Sequence, residues 1–369
     1  MNLEPDSTIG IAIVIGQLAQ GGSERQLYAF LKHCDREHWS PILYVSRGPI
    51  EWWDDSIREL GIPIILLHGS PLQRMWQFRR SCQAHHVQRF FSWASHTNTY
   101  SLALWGLGIP GIGSFRNTYS AELTETDRPR WLRAWAYLAG VNTIVCNSQE
   151  AAADVRSHAG RGKCVVYVPN SIQPIDTIEL YRSRWRQQLG IQDGEILIVG
   201  VGRLAPQKNF ARFIEAIAHV NQTIPIRAVI AGKDYMGCLA GMQQQVELLR
   251  LDPSVLRFIG SVPDARELLC AADIFVLSSD YEGMPNVVME AMAAGVPCVS
   301  TKVNGVSDLI TTGVNGFITE HRADALAEKI KLLAQDKALR QGMGARAAKR
   351  MDTSFDPQTM AARLWQLCE

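Results

Sequence analysis

"EILIVGVGRLAPQKNF" (residues 195–210) passes from an unbroken apolar run into a glycine, two cations and a proline. A parallel strand covered by helices on both faces reads as such a continuous run. The cations Arg203 and Lys208 then fall on the loop at the strand's carboxyl end. The same form opens the chain, where "IGIAIVIGQLAQGGSERQLYAFL" (9–31) runs from strand through a glycine-bearing loop into an amphipathic stretch. A strand, loop and helix start that occurs twice predicts two domains of one architecture.

Working outward, apolar runs alternate with helical patterns along the whole chain, the signature of parallel α/β folding. First-half strands are expected near 9–15, 41–46, 62–67, 87–92, 109–115, 141–146 and 164–168. The second half continues with "IRAVIAG", "VLRFIG", "DIFVLSS" and "GVPCVST". The joint is expected in "YVPNSIQPI" (167–175), where prolines and an asparagine break the pattern. The expected domains are 1–172 and 173–352, with a C-terminal helix over about 353–369 that packs back on the first. The fold class is α/β, with two Rossmann-like doubly wound domains facing across a cleft. Ligands bind at the carboxyl ends of strands in such folds.

Bulk properties fit. A chain of 369 residues exceeds one ordinary core. Its 37 Lys and Arg nearly cancel its 36 Asp and Glu, which argues against a nucleic-acid binder. The eight cysteines are scattered without metal-ligand spacing, as expected of reduced thiols in a cytoplasmic protein. The N-terminal run carries acidic residues and reads as a first strand. Residues 97–115 lack charge but contain Pro110 and four glycines, so a helix and a strand are expected there and no membrane span.

The densest chemistry lies in "YEGMPNVVMEAMAAGVPCVS" (281–300). Pro285 suits the first helical position, where no amide hydrogen is needed. Gly283 allows close backbone approach. A helix start offers unpaired N–H groups and partial positive charge to an anion. Glu290, in the second turn, leans back toward that start, and Glu282 precedes it. An anion flanked by hydroxyl-binding carboxylates describes a sugar nucleotide, with Arg203 and Lys208 supplying charge to its phosphates.

Together these stretches resemble the family 4 retaining glycosyltransferases, which have the GT-B fold. "GVGRLAPQKNF" is similar to the family's phosphate loop and "FIGSVPD" (258–264) to the segment that passes the nucleotide base. "EGMPNVVMEAMAAGVPCVS" is similar to its E-x7-E signature, "GVNGFI" (313–318) to a downstream turn, and "GQLAQGGSERQLYAFL" (16–31) to its first glycine-rich loop. The resemblance implies that Glu290 holds ribose hydroxyls and Glu282 those of the transferred sugar. It implies a backbone cradle at Gly283, Met284, Pro285 and Asn286, diphosphate contacts from Arg203 and Lys208, and close approach at Gly21 and Gly22. Two positions depart from the family. Arg116, in "GSFRNTY" (113–119), stands where a catalytic-site histidine is usual, and stays protonated at neutral pH. Ser171 stands where the interdomain turn usually has glycine. His96 and Asn117 are further cleft or acceptor candidates, with a satisfied structural role the plainer expectation for His96.

The expected activity is transfer of a sugar, with retention, from a nucleoside diphosphate sugar (UDP most commonly in the resembled family) to a hydroxyl of a glycan or lipid-linked acceptor. Such transfer serves polysaccharide or glycolipid synthesis. No metal or other cofactor is expected, since no Asp-x-Asp or histidine cluster stands out. Alternatives are a sugar-nucleotide epimerase of the same fold, a non-catalytic sugar-nucleotide binder and, less well matched, a glycoside hydrolase. The aromatic and basic stretches "LQRMWQFRR" (72–80) and "RPRWLRAWAYL" (128–138) suit peripheral contact with the cytoplasmic face of a membrane. The plainer expectation is that Trp131, Leu132, Trp135 and Leu138 face the core.

Overall fold

Alternate side chains of a strand point to opposite faces of its sheet, and the first strand shows what covers each face. In β1 (Ile9–Ile15), Ile11 and Ile13 pack with Phe30, Phe91, Trp93 and Trp365, while Ala12 and Val14 pack with Tyr44, Phe78, Phe90 and Phe115. Both faces are dry, which is why the run carries no polar residue. The structure, a computed structural model, describes residues 8–48, 52–124, 130–160 and 162–369, except the side chains at 122–124, 130, 131, 133 and 134.

Six further strands complete the first sheet: β2 (Trp39–Val45), β3 (Ile64–Leu66), β4 (Arg89–Ser92), β5 (Gly111–Phe115), β6 (Thr143–Cys146) and β7 (Cys164–Tyr167). All pair in parallel, in the order β3-β2-β1-β4-β5-β6-β7. The uncharged stretch after β4 forms a 3-10 helix, Ser95–Leu104.

The second sheet has β8 (Leu197–Val201), β9 (Arg227–Ala231), β10 (Leu256–Gly260), β11 (Ile274–Leu277), β12 (Cys298–Thr301) and β13 (Gly316–Thr319). Its order, β10-β9-β8-β11-β12-β13, repeats that of the first sheet. Two expectations change here. The stretch 313–318, read as a turn, makes that turn at 313–315 and then enters strand β13, whose four residues pair with β12. Such a short edge strand has too few apolar residues to show its period. Strand β11 ends at Leu277, two residues before Ser279, because the loop backbone turns to meet the loop after β8.

The chain divides into two compact units, Met1–Ser171 with Pro357–Glu369, and Ile172–Asp356. Helix Pro357–Gln366 belongs to the first. Trp365 stacks on Phe30 at 4.2 Å between ring centroids and donates Nε1–H to the Phe30 carbonyl at 3.2 Å. Arg89 donates to the Cys368 carbonyl at 2.9 Å. Ser171, the last residue of the first unit before the joint, is clamped by Gln26: its N–H donates to Gln26 Oε1 at 2.8 Å and its carbonyl accepts from Gln26 Nε2 at 2.7 Å. Those two bonds use backbone groups that glycine also has; the serine adds one of its own, from Oγ to Gln26 Oε1 at 3.2 Å.

Candidate functional site

In each sheet the chain reverses its direction of winding between two central strands, β1 and β4 in the first unit and β8 and β11 in the second. Loops leaving such a pair diverge and leave room for a ligand. Most of the singled-out residues fall at these two places; Arg116 and Asn117 follow the neighbouring strand β5.

In the second unit, the loop after β8 and the loop after β11 are bound to each other. The Asp280 N–H donates to the Gln207 carbonyl at 2.9 Å, Ser278 Oγ to the Lys208 carbonyl at 2.9 Å, and Gln207 Nε2 to the Tyr281 carbonyl at 2.8 Å. Asn209 makes the turn into helix Phe210–Asn221 with a left-handed backbone (φ 42°), and its side chain caps that helix at the Arg212 N–H. Arg212 bonds the Ser278 carbonyl at 2.6 Å and Asp280 at 2.7 Å. Burial works to raise the Asp280 pKa, but hydrogen bonds from Arg212 and Asn209 and the Arg212 charge outweigh it, so the carboxyl stays below its ordinary range. Sequence reading missed Arg212 and Asp280; an arginine in the first turn after a loop asparagine carries no distinctive signal.

This lacing brings Lys208 and Glu282 together. Lys208 Nζ donates to Glu282 Oε1 at 2.6 Å, with only 16% and 11% of the two side chains exposed. The buried Ser279 hydroxyl donates to the same oxygen at 2.6 Å. The Lys208 stem lies over Gly202, where a Cβ would stand 3.1 Å from Lys208 Cε. Arg203 is exposed and has a different neighbour, the Tyr235 ring at 5.4 Å.

Helix Asn286–Ala293 follows, with Pro285 as its N-cap residue. The expectation of Pro285 inside the helix therefore shifts by one: its ψ of 98° is extended, and Asn286 is the first helical residue. The Pro285 carbonyl accepts from the Val288 N–H at 3.0 Å, leaving the earliest amides of the helix without intrahelical acceptors. Glu290, 6% exposed, lies on the second turn; the Arg266 guanidinium is held protonated chiefly by its hydrogen bonds to Asp264, with a smaller contribution from the Glu290 charge. Gly305 was not singled out. Its φ is +71°, and a Cβ there would stand 2.5 Å from the Gly283 carbonyl and 2.9 Å from Met284 Cα. It therefore lets the 302–306 turn support the Gly283–Met284 backbone.

In the first unit, Gly21 is the N-cap of helix Gly22–Lys32, and the space beside it is filled by the Glu24 carboxylate. Arg116 follows β5. It lies over the Trp93 ring at 4.2 Å and donates Nε–H to the Trp93 carbonyl at 3.1 Å. Its Nη2 is buried without a partner, and burial lowers its pKa to about 10, so it remains charged at neutral pH. Asn117 accepts from the Thr118 N–H at 2.9 Å. The structure corrects the expectation that His96 is satisfied: Nε2 is buried, has no hydrogen bond, and faces Gly16, where a Cβ would stand 2.7 Å away. Burial, helped by the Arg47 charge, lowers its pKa to about 4 and keeps the ring neutral.

A second correction concerns the aromatic–basic stretches. Leu132 and Trp135 are exposed while Leu138 is buried, and the Trp131 side chain lies outside the described residues. Leu72 and Trp76 are exposed too, with Arg80 over the Trp76 ring at 4.7 Å. Among the described residues no helix is long and apolar enough to cross a membrane.

Residues 20–174 match the family model described as Glycosyltransferase Family 4, and residues 182–350 match Glycosyl transferases group 1. The chain is 31% identical over 316 residues to the UDP-Gal:alpha-D-GlcNAc-diphosphoundecaprenol alpha-1,3-galactosyltransferase of Escherichia coli, covering 81% of this chain and 80% of that protein. Similarity to the N-acetyl-alpha-D-glucosaminyl L-malate synthase of Bacillus anthracis, 26% over 179 residues, spans 48% of this chain and 46% of that one. The fold matches the crystal structure of Anabaena Alr3699/HepE in complex with UDP and glucose, with TM-score 0.83 and 21% identity over 97% of this chain and 99% of that one. The chain belongs to the family 4 glycosyltransferases and has the GT-B type of α/β fold.

Proposed function

We propose that this glycosyltransferase moves a sugar, with retention, from a nucleoside diphosphate sugar to a hydroxyl of a glycan or lipid-linked acceptor, at the cytoplasmic side of a membrane. UDP is the proposed carrier, since the solved relative named above is a complex with UDP. One observation supports the reading most: the loops after β8 and β11 are laced so that Lys208, Glu282 and the start of helix Asn286–Ala293 occupy one strand-end region.

In the resting pair, Lys208 and Glu282 neutralise each other. A diphosphate offers Lys208 a stronger anionic partner, and Glu282 is then released to accept from hydroxyls of the transferred sugar. Arg203 and the partial positive charge of the helix start add to the phosphate charge balance. Retention follows without a protein nucleophile when the departing phosphate oxygen takes the acceptor's proton on the same face, leaving positioning and charge stabilisation to the protein. With these cations on the phosphates, no metal is required.

A thermal-shift screen of nucleoside diphosphate sugars tests the donor. A ligand at a hundred times its Kd adds about 2.7 kcal/mol of stability. Failure of every such compound to shift the transition would end this reading. Release of free UDP only when acceptor is present separates transfer from epimerisation or simple binding, and activity lost to EDTA and restored by manganese would refute metal independence.

A further inference from the structure

The first unit carries polar groups that its own fold leaves unused. At the carboxyl ends of three neighbouring strands, β4, β5 and β6, lie His96, Arg116 and Asn147. Each has a buried side-chain atom with no hydrogen bond among the described residues: His96 Nε2, Arg116 Nη2 and Asn147 Oδ1. Asn147 is only 3% exposed. Buried polar atoms are nearly always bonded, so three orphans at one sheet end indicate a missing partner. Adjacent strands lie about 4.8 Å apart, so three strand ends span roughly 10 Å, the breadth of one sugar with its substituents.

The character of the orphans specifies that partner. Arg116 is fixed by the Trp93 carbonyl and ring, and among the described residues no carboxylate pairs with it. A buried, unpaired guanidinium is costly unless an anion completes it. Its planar fork fits a carboxylate or phosphate, whereas the histidine usual here in the resembled family would suit a neutral hydroxyl. The His96 ring is neutral, so it adds no second charge, and with Asn147 Oδ1 it suits hydroxyl groups. Gly16 makes room for the imidazole itself, since a Cβ there would stand 2.7 Å from Nε2.

We propose that these strand ends form a binding site for an acidic sugar, with Arg116 on its carboxylate or phosphate and His96 and Asn147 on its hydroxyls. The site deepens the glycosyl-transfer reading and rests on it. The acidic group belongs either to the donor's sugar or to the acceptor, and calorimetric titration of the whole chain in two arms distinguishes them. One arm compares UDP-glucuronic acid with UDP-glucose. The other compares glucose 6-phosphate and methyl glucuronide with methyl glucoside, all with saturating UDP.

The expected result is that, in one arm, the acidic compound binds the native protein at least tenfold more tightly than its neutral counterpart. Arg116→Gln should reduce that preference below twofold, and Arg116→Lys should keep part of it. Equal affinity for acidic and neutral compounds in both arms overturns the proposal, whether or not the variants fold. A preference that survives Arg116→Gln overturns the assignment to Arg116. UDP alone is titrated in parallel: if it binds while both arms show no preference, only the acidic-sugar site fails, and if it does not bind, the donor reading fails first.

Discussion

Glu282→Gln separates a resting ion pair from a ligand contact. The change keeps side-chain volume and leaves an oxygen for Lys208 and Ser279, whose donors now stand 2.6 Å from the same carboxylate oxygen. A hydrogen bond to a charged group is worth about 1.5–3 kcal/mol and a neutral one about 0.5–1.5. Lys208 stays charged and keeps a bond to the amide oxygen, but losing the opposite charge takes about 1–1.5 kcal/mol from its hold on residue 282, so it is freer to turn to phosphate. UDP, which needs Lys208 but not Glu282, should bind up to about tenfold more tightly. A UDP-sugar loses a similar amount at its hydroxyls, so the gain cancels. The ratio of the two affinities should shift about tenfold toward UDP. Calorimetric titration of UDP and of the best donor from the thermal screen, at one salt concentration, measures it. If Glu282→Gln weakens both ligands equally, or leaves their ratio unchanged, the exchange of partners is wrong.

Four other outcomes follow from the geometry. Lys208→Met should weaken UDP binding by ten- to a hundredfold, the value of about 1.5–3 kcal/mol for a charge-assisted bond, read by titration. Gly305→Ala forces a Cβ against the Gly283 carbonyl at positive φ; denaturant unfolding should show a loss of about 1–3 kcal/mol, with weaker UDP binding at the displaced loop. Trp365→Ala removes a large buried ring from the first unit and should cost about 3–5 kcal/mol, lowering the first unit's calorimetric transition and sparing that of the second. The folded His96 pKa of about 4 lies below its ordinary 6.5, so its contribution is full above pH 6.5 and is lost as pH falls toward 4. About 2 kcal/mol should be gone by pH 5, and His96→Gln should flatten that slope in urea unfolding at pH 7 and pH 5.

The sheet architecture was legible because burial on both faces erases polar residues from the strands, so β1 and β8 stand out as unbroken runs. Helix ends were less legible. Pro285 suits both the cap and the first turn, and only the extended ψ decides between them. The pairing of Lys208 with Glu282 was not legible at all. Each residue was singled out for a ligand, but their contact depends on the Gln207, Ser278 and Asp280 bonds that tie two loops distant in sequence. Gly305 has the same history: its reason lies in a backbone that only the fold brings near. The exposure of Leu132 and Trp135 was misread because their spacing fits a core stripe and a surface stripe equally well.

The two units place different electrostatics on one topology, and the difference bears on their roles. At the second unit's strand ends two ion pairs are internally matched, Lys208 with Glu282 and Arg212 with Asp280, while Arg203 is exposed beside the Tyr235 ring. At the first unit's, Arg116 is unmatched among the described residues and His96 is held neutral by burial. A matched pair can rest empty at little cost and must open to bind, so its ligand has to outcompete an internal partner. A diphosphate, with its multiple charges, can do that against a single carboxylate. An unmatched arginine carries its cost at all times and recovers it only when an anion arrives, which suits a lone carboxylate or phosphate on a sugar. On the proposed reading, the stronger anion goes to the second unit and the weaker one to the first.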